Sequence, residues 1–322
     1  MLNYLFRRLN LLFFTAFALS IFAFMLALWS SSELTANNGN YVMLYAQYMM
    51  DILQGQWGAS IINQQSHMVN GLIAFSSTLE LCLVALLTSI IIGIPLGIFA
   101  GLYRNGVLDY TIMSIALIGL ALPAFWLAII TMMLPVSFAL ALPIDGDISP
   151  LYEVPNITGF QLIDSLFAIE LYGLDAFFDR LAHLILPAVV LSFFLSSEII
   201  RLTRHSISLV MKSNYIKAAN TKGLSVLQIV FRHVLKNALP PIIPLLRLQL
   251  NTIISIAMAI EIVFSSHGAG VWLFASIKGS DYAALPAAVI IISGFILLSS
   301  IIIDILQMLI SPTTRRILYA DK

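Results

Sequence analysis

The sequence has little charge: Asp, Glu, Lys and Arg make up only 10% of its 322 residues, whereas soluble domains carry about 25%. Hydrophobic residues make up 60% of the chain, and its mean hydropathy is +0.97. A water-soluble protein of this composition would expose large apolar patches. The shortage of charge therefore excludes an ordinary soluble domain and favours a protein embedded in a lipid membrane.

Cysteine is nearly absent as well, and neither sign of charge is in excess. Cys82 is the only cysteine, which excludes an intrachain disulfide and any metal site built from several thiolates. The 16 basic and 16 acidic residues cancel, and without a basic excess we expect no binding to nucleic acid. The five histidines are scattered along the chain. We therefore predict no catalytic residues and no metal site.

Nucleotide-binding motifs are also absent. The sequence contains no Gly-x4-Gly-Lys-Ser/Thr, the loop that cradles phosphates in P-loop ATPases. Gly268-Ala-Gly270 lacks the third glycine of a dinucleotide-binding turn, so we interpret it as a loop. We expect that the chain itself binds neither ATP nor another cofactor.

Long apolar runs are what the sequence does have. About 20 consecutive apolar residues are needed for a helix that crosses a bilayer and satisfies its own backbone hydrogen bonds. Six runs meet this requirement and predict an all-α, polytopic membrane protein with six transmembrane helices in a single domain. They lie at residues 9–29, 72–103, 107–140, 182–202, 239–264 and 284–310.

The distribution of Lys and Arg predicts the orientation of these spans. With six spans, the basic residues at both termini, after the second run and throughout segment 203–237 fall on one side. The opposite side carries only Arg180 and Lys278 between its spans. Because cytoplasmic loops are enriched in Lys and Arg, the pattern predicts that both termini are cytoplasmic.

The second run carries a stripe of glycines. Gly93, Gly97 and Gly101 are spaced four residues apart, which places them on one helical face. Such a stripe lets two membrane helices approach closely, so we favour a packing role; a hinge is the alternative. Pro95 and Pro123 also lie inside predicted spans, where neighbouring helices can compensate for the lost backbone hydrogen bond.

The predicted extracytoplasmic segments differ in composition. Segment 31–70 is rich in Asn and Gln, and residues 41–53 are expected to form a short helix on the outer face. The insertion at residues 141–181 is acidic and would steer a cationic substrate or a basic delivering protein; a merely solvated loop is the alternative. Its acidic residues are Asp145, Asp147, Glu153, Asp164, Glu170, Asp175 and Asp179.

Five charged residues in or beside the spans are candidate pathway or intramembrane polar groups. A charge at the bilayer centre costs about 2.5–3.5 kcal/mol on insertion scales, so such groups face a cavity, a partner or the interface. Glu198 and Arg201 can pair on one helical face, and we favour a structural clamp over substrate contact. Glu80 and Glu261 lie near outer ends of spans, where both reaching water and lining the pathway stay open. Asp304 lies deeper, in the last span.

The predicted cytoplasmic coupling segment, residues 203–237, contains a helix–glycine–helix pattern. A short helix over residues 215–222 can be capped by Ser213 or Asn214. Gly223 follows, at the position that favours a left-handed backbone. A second helix then runs to about residue 237.

The first of these helices has small side chains on one face, at Ala218 and Ala219. A slim helix that ends in a fixed elbow suits a groove in another protein and can pass that protein's motion to a span. A basic loop that only sets topology is the alternative. The candidate coupling residues are Tyr215, Lys217, Ala218, Ala219, Gly223 and Leu224.

The same segment carries a family resemblance. Tyr215-Ile-Lys-Ala-Ala-Asn-Thr-Lys-Gly223, followed by Arg232-His-Val-Leu-Lys-Asn-Ala-Leu-Pro240, resembles the EAA loop of ABC-importer permeases of the dipeptide/oligopeptide family. Family-like segments flank it, among them Gly93-Ile-Pro-Leu-Gly97 and His183-Leu-Ile-Leu-Pro187. The resemblance covers roughly residues 1–315 and implies a type I ABC-importer permease fold.

This resemblance implies partners and a location. A homologous second permease subunit would complete the pathway, and two cytoplasmic ABC ATPase subunits would bind ATP and Mg²⁺ below it. In importers a periplasmic solute-binding protein delivers the solute. The chain would be a multi-pass protein of the bacterial inner membrane.

Three places in the sequence concern the ATPase contacts, an outer loop and the transported solute. Lys217 stands where the general EAA signature has an acid, which leaves the contacts with the ATPase open. Ser266-His267 stands where the family usually has Trp-Pro, which alters an outer loop. Leu151-Tyr-Glu-Val154 resembles the branch of the family that is associated with antimicrobial peptides and putrescine. The resemblance thus implies transport of peptides, cationic antimicrobial peptides or polyamines such as putrescine.

Two other functional classes stay open at this point. An ion-coupled secondary transporter would need inverted repeats with broken helices at the midplane, and six spans without a visible repeat argue against it. A membrane-embedded enzyme or accessory scaffold would need a cluster of catalytic groups at one depth, which the sequence does not show.

Overall fold

The computed structural model describes residues 2–30, 40–238 and 243–310. Within those ranges the chain is helical apart from its loops and one isolated β-bridge, between Ala59 and Ser66. The helices are α1 Leu2–Ser30, α2 Tyr41–Leu53, α3 His67–Leu102, α4 Val107–Ala121, α5 Ala124–Phe138, α6 Gln161–Phe167, α7 Ile169–Tyr172, α8 Asp175–Met211, α9 Asn214–Thr221, α10 Val226–Ile229, α11 Leu235–Ala238, α12 Ile243–Phe264, α13 Ala269–Lys278 and α14 Ala284–Ile310. A π-helical stretch, Val230–Val234, joins α10 to α11.

Four of these helices are long and apolar enough to cross a membrane by themselves: α1, α3, α8 and α14. Two bent pairs, α4 with α5 and α12 with α13, raise the number to as many as six if each pair is one span. The all-α, polytopic architecture predicted from the sequence is therefore confirmed. Residues 239–242 of the predicted fifth span, and the basic C-terminal tail, lie outside the described residues. We call the end that carries residues 141–174 the outer end, and the end that carries α9 the inner end.

The predicted third span, 107–140, is divided into two helices at the proline that the sequence places inside it. It bends by 106° between α4 and α5. Leu122 is extended, with φ −78° and ψ 132°, and Pro123 precedes the first residue of α5. A proline disfavours the helical conformation of the residue before it, so the chain breaks here although Pro95 leaves α3 continuous.

Among the described helices, the most extensive pairing is between α3 and α8. They run parallel, from the outer to the inner end, with the glycine stripe of α3 against α8. A Cβ atom added at Gly93, Gly97 or Gly101 would lie 3.0–3.2 Å from a backbone carbonyl oxygen of α8. The packing interpretation of the stripe therefore agrees with the structure.

Both helices are longer than a bilayer requires. α8 has 37 residues and is about 55 Å long at 1.5 Å per residue, whereas the hydrocarbon core is about 30 Å thick. The sequence predicted only residues 182–202 as the fourth span. The helix thus extends past both predicted ends and connects the outer end of the molecule rigidly with the inner end.

Substitution of Gly97 by Ala is expected to loosen this pairing. The new Cβ would lie 2.5 Å from the Thr203 Cβ and 3.0 Å from the Ile200 carbonyl oxygen, so backbone must shift, at a cost of about 1–3 kcal/mol. Gly294→Ala in α14 is the matched control, because its Cβ would meet no atom within 4 Å. Thermal unfolding in detergent should show a lower midpoint for Gly97→Ala alone. Equal midpoints for the two variants would contradict the packing role.

Candidate functional site

A buried ion network at the outer end is centred on Arg180 of α8. Its Nη1 donates to the carbonyl oxygen and to Oδ1 of Asp147, each at 2.9 Å. Its Nε lies 3.1 Å from Oε2 of Glu80 in α3, and its Nη2 pairs with the same carboxylate. All three side chains are at most 4% exposed. One guanidinium thus ties α3, α8 and the 139–160 loop together.

Glu80 therefore reaches no water, although the sequence left that option open. Its second carboxylate oxygen accepts a hydrogen bond from the Leu162 backbone N–H at 2.5 Å. The side chain is fully engaged within the protein, which gives it a structural environment at the outer end of α3.

The acidic residues of the insertion have two different environments. Asp164 is buried and accepts from the backbone N–H groups of Thr158 and Gly159 at 2.8 and 3.0 Å. Asp179 accepts from both the backbone and the hydroxyl of Ser149, each at 2.7 Å. These carboxylates shape the insertion. Asp145, Glu153, Glu170 and Asp175 are exposed, so only part of the acidic set faces outward.

A cleft opens on this outer surface. Its volume is about 630 Å³, and it is lined by the insertion, by α3 and by the loop before α13. Asp145, Asp147, His183 and His267 contribute its titratable groups. A concave site with a few polar groups among apolar walls is the usual form of a small-molecule site.

His267 links the rim of this cleft to the ion network. Its backbone N–H and its Nδ1 lie 2.6 and 2.7 Å from Oδ2 of Asp147. Burial alone would raise the pKa of Asp147, but the hydrogen bond from His267 and the charge of Arg180 outweigh it and hold that pKa below its usual value. The same hydrogen bond raises the pKa of His267. The residue that departs from the family pattern thus acquires an ionic partner in the insertion.

Glu261 caps a helix at the outer end of α12. Its Oε2 accepts from the Gly270 backbone N–H at 2.8 Å, in the first turn of α13. The side chain is 1% exposed, so it does not reach water at the interface. A Cβ at Gly268 would overlap the carboxylate, which explains why Gly-x-Gly follows this acid.

At the inner end, α9 forms close to the predicted bounds, as Asn214–Thr221. Ile216 and Ala219 are buried in an apolar cluster with Ile207 of α8 and with Ile229 and Val234. Lys217 and Ala218 are exposed. Only one of the two predicted small residues therefore contributes to the free face of the helix, because Ala219 serves the internal packing.

The elbow after α9 has the expected geometry. Gly223 has φ +77°, and a Cβ there would meet no atom within 4 Å. Leu224 packs against the apolar cluster. The Tyr215 hydroxyl accepts a hydrogen bond from Asn237 at 3.2 Å. The elbow is thus exposed, while its flanks are held by the helices around it.

The remaining charged candidates are separated from the outer site. Arg201 lies 2.8 Å from Glu198, as their spacing predicted, and its side chain is 51% exposed. Asp304 is 5% exposed within α14. The structure therefore brings Glu80 and Glu261 to the outer end and does not join them with Glu198, Arg201 or Asp304.

Sequence reasoning missed two ionic contacts. In the sequence, Arg180 was only an exception to the distribution of basic residues between the two sides. A single base among the seven acidic residues of the insertion could have indicated an ion pair. At the inner end, Asp109 at the start of α4 accepts from Nε and Nη2 of Arg204 at 2.5 and 2.7 Å. Arg104 donates to Ser208 beside it. Residues about 100 positions apart carry no sequence signal for such pairing.

Loss of Arg180 should destabilise the protein strongly. Arg180→Met leaves the buried Glu80 without a counter-ion and Asp147 with His267 alone, and breaking a buried pair in this way typically costs about 3–5 kcal/mol. Arg201→Met is the control, because removing one partner of an exposed pair costs about 0–1 kcal/mol. We expect a fall in the unfolding midpoint in detergent that is several times larger for Arg180→Met. Comparable midpoints would show that the network is not a structural anchor.

The Asp147–His267 contact predicts a pH window. Because the pKa of His267 is raised in the folded protein, its contribution to the free energy of unfolding is full below about pH 6.5, its pKa in the unfolded chain. This contribution is lost as pH rises through the folded-state pKa. Because the pKa of Asp147 is lowered in the folded protein, its contribution to the free energy of unfolding is full above about pH 3.9, its pKa in the unfolded chain. This contribution is lost as pH falls through the folded-state pKa. The stabilisation is thus complete between about pH 4 and 6.5.

His267→Ala should therefore lower the unfolding midpoint more at pH 5.5 than at pH 8.5. His205→Ala, at an exposed histidine of α8, is the control and should give the same small difference at both pH values. A pH-independent effect of His267→Ala would contradict the ionic contact.

The sequence of this chain is similar to those of known membrane transport proteins. A family model described as a binding-protein-dependent transport system inner membrane component matches residues 93–316. The chain is 37% identical to the putrescine export system permease protein SapB of Escherichia coli over 321 residues, 99% of each chain. It is 36% identical over 323 residues to the peptide transport system permease protein SapB of Salmonella typhimurium, again across 99% of each chain.

A further relative confirms the resemblance seen in the sequence. The dipeptide transport system permease protein DppB of Escherichia coli is 31% identical over 275 residues, which cover 84% of this chain and 80% of the relative. The family consists of membrane permease components rather than enzymes. The chain therefore belongs to the binding-protein-dependent transport system inner membrane components, the permease subunits of ABC transporters.

Proposed function

We propose that this chain forms half of a solute pathway for peptides or polyamines and that α9 docks on a partner ATPase. The functions named for its relatives, putrescine export and peptide transport, support these solute classes. The observation that carries the docking proposal is the mounting of α9. Ile216 and Ala219 fix the helix to α8, while Lys217 and Ala218 stay exposed for a partner.

The proposed mechanism uses α8 as the connecting element. When ATP closes the partner ATPases, α9 moves with them, and its apolar cluster with Ile207 passes the motion to α8. Because α8 is one continuous helix that carries Arg180 at its other end, a tilt of α8 also moves the outer ion network. The pathway then changes the side to which it opens.

The proposed assembly has several further subunits. A homologous second permease completes the pathway, two cytoplasmic ABC ATPases bind ATP and Mg²⁺, and a periplasmic solute-binding protein delivers solute where the system imports. Both termini of this chain are placed in the cytoplasm of a bacterial cell. The exposed face of α9, including Lys217, then lies towards the ATPases.

Purification from mild detergent tests this assembly. The tagged chain should carry along the second permease and ATPase subunits, and solute should stimulate ATP hydrolysis by the complex. A secondary transporter would instead be purified without ATPases and would transport solute in proteoliposomes with an ion gradient alone.

Gly223→Val should uncouple ATP hydrolysis from transport. A β-branched residue at φ +77° strains the elbow. About 1–2 kcal/mol of left-handed strain would change the equilibrium between the positions of α9 about tenfold. We expect about tenfold less solute moved per ATP hydrolysed by reconstituted complexes.

Gly173→Val is the matched control for this change. Gly173 also has positive φ, +62°, with no atom within 4 Å of an added Cβ, but it lies in the outer insertion. Both variants should insert normally into the membrane. Normal coupling in Gly223→Val, or equal uncoupling in both variants, would contradict the role of the elbow.

A further inference from the structure

Two cavities at the outer end share one wall. Beside the 630 Å³ cleft lies a small chamber of about 10 Å³, bounded by α8, by Glu261 and by the loops around it. Ser77, Gly146, Asp147 and His183 line both spaces. A volume of about 10–15 Å³ holds one water-sized group. The chamber therefore fits the head of a ligand whose body occupies the cleft.

Glu261 is the unusual group in this chamber. Its Oε2 accepts from the Gly270 backbone N–H at 2.8 Å. Its Oε1 is buried and, among the described residues, has no hydrogen-bond partner. A buried acceptor without a partner costs free energy, so this oxygen is suited to a donor that arrives from outside the chain.

Two further acceptors line the chamber with it. Nδ1 of His183 lies 2.8 Å from the Asp179 carbonyl oxygen. A carbonyl only accepts, so Nδ1 carries a proton, which leaves Nε2 as the ring nitrogen that can accept. The Ser77 hydroxyl, in α3, is the third. An ammonium group has three N–H donors, which matches these three acceptors in number.

The charge around the chamber is favourable for a cation. Arg180 is engaged by Glu80 and Asp147, and these two carboxylates exceed the one guanidinium by one charge. Protonation of His267 on Asp147 balances this excess. Asp145, exposed on the cleft wall, adds negative charge along the approach. Such a field concentrates cations at the cleft.

We infer that the cleft and chamber form a binding site for a primary amine, with its ammonium group held by Glu261 Oε1, His183 Nε2 and Ser77 Oγ. The apolar part of the cleft, including Ile73 and Ile144, contacts the aliphatic chain of the ligand. This inference rests on the proposed role of the chain in solute translocation. It assigns to the outer end of the pathway a selection for primary amines.

Calorimetric titration of the intact purified complex with 1,4-diaminobutane tests the site. Glu261→Gln keeps the shape but replaces one carboxylate oxygen by an NH2 donor, and should weaken binding about 10- to 100-fold, the usual loss for a hydrogen bond to a charged group. Glu153→Gln, an exposed acid of the same insertion, is the control and should bind like the wild type. Equal binding by Glu261→Gln and wild type would mean that Glu261 is only a helix cap, and would overturn the inference.

Ligand analogues keep the test decisive if Glu261→Gln fails to fold. The fully N-methylated diammonium analogue retains the charge but has no N–H donors, and should bind the wild-type complex at least about tenfold more weakly. Ser77→Ala should weaken 1,4-diaminobutane about three- to tenfold. Equal binding of the two ligands would overturn the three-acceptor site.

Failure of the site and failure of the proposed function give different results. A complex that hydrolyses ATP in response to dipeptides but does not bind 1,4-diaminobutane would overturn the amine site and leave the proposed function intact. A chain that is purified without ATPases would contradict the proposed function, whatever its affinity for amines.

Discussion

Close packing of α3 against α8 is the constraint on which the rest of the structure depends. The glycine stripe of α3 brings its backbone against the carbonyl groups of α8, and this distance places Glu80 within reach of Arg180 at one end. At the other end the same pairing places the α3–α4 turn beside Arg204. The two ionic contacts therefore depend on the close approach of the two helices, which is possible because Gly93, Gly97 and Gly101 have no side chains.

The sequence predicted the fold where one local signal dominates. Long apolar runs require helices in a membrane, and the spacing of Gly93, Gly97 and Gly101 predicts a packing face. The break at Leu122–Pro123 was missed because Pro95 and Pro123 look alike in a hydropathy pattern. The conformation of the residue before each proline, and the helices packed around it, decide which one ends a helix.

The inner site was more predictable than the outer one. The elbow at Gly223 follows from local backbone preferences, and α9 lies within one residue of its expected bounds. The outer network joins residues 33 and 100 positions apart, and the role of Ala219 depends on which face of α9 meets α8. Such contacts are properties of the tertiary arrangement, for which a single sequence holds no pattern.

The parallel course of α3 and α8 has an electrostatic consequence. Both helices end at the inner side, so two partial negative charges of helix dipoles lie next to each other. Arg104, two residues beyond α3, donates to Ser208 in the last turns of α8 and lies where it offsets both. A residue that marks the cytoplasmic side in the topology pattern thus also compensates a repulsion between helix ends. Experiments that move such charges to probe orientation will change the stability of the bundle at the same time.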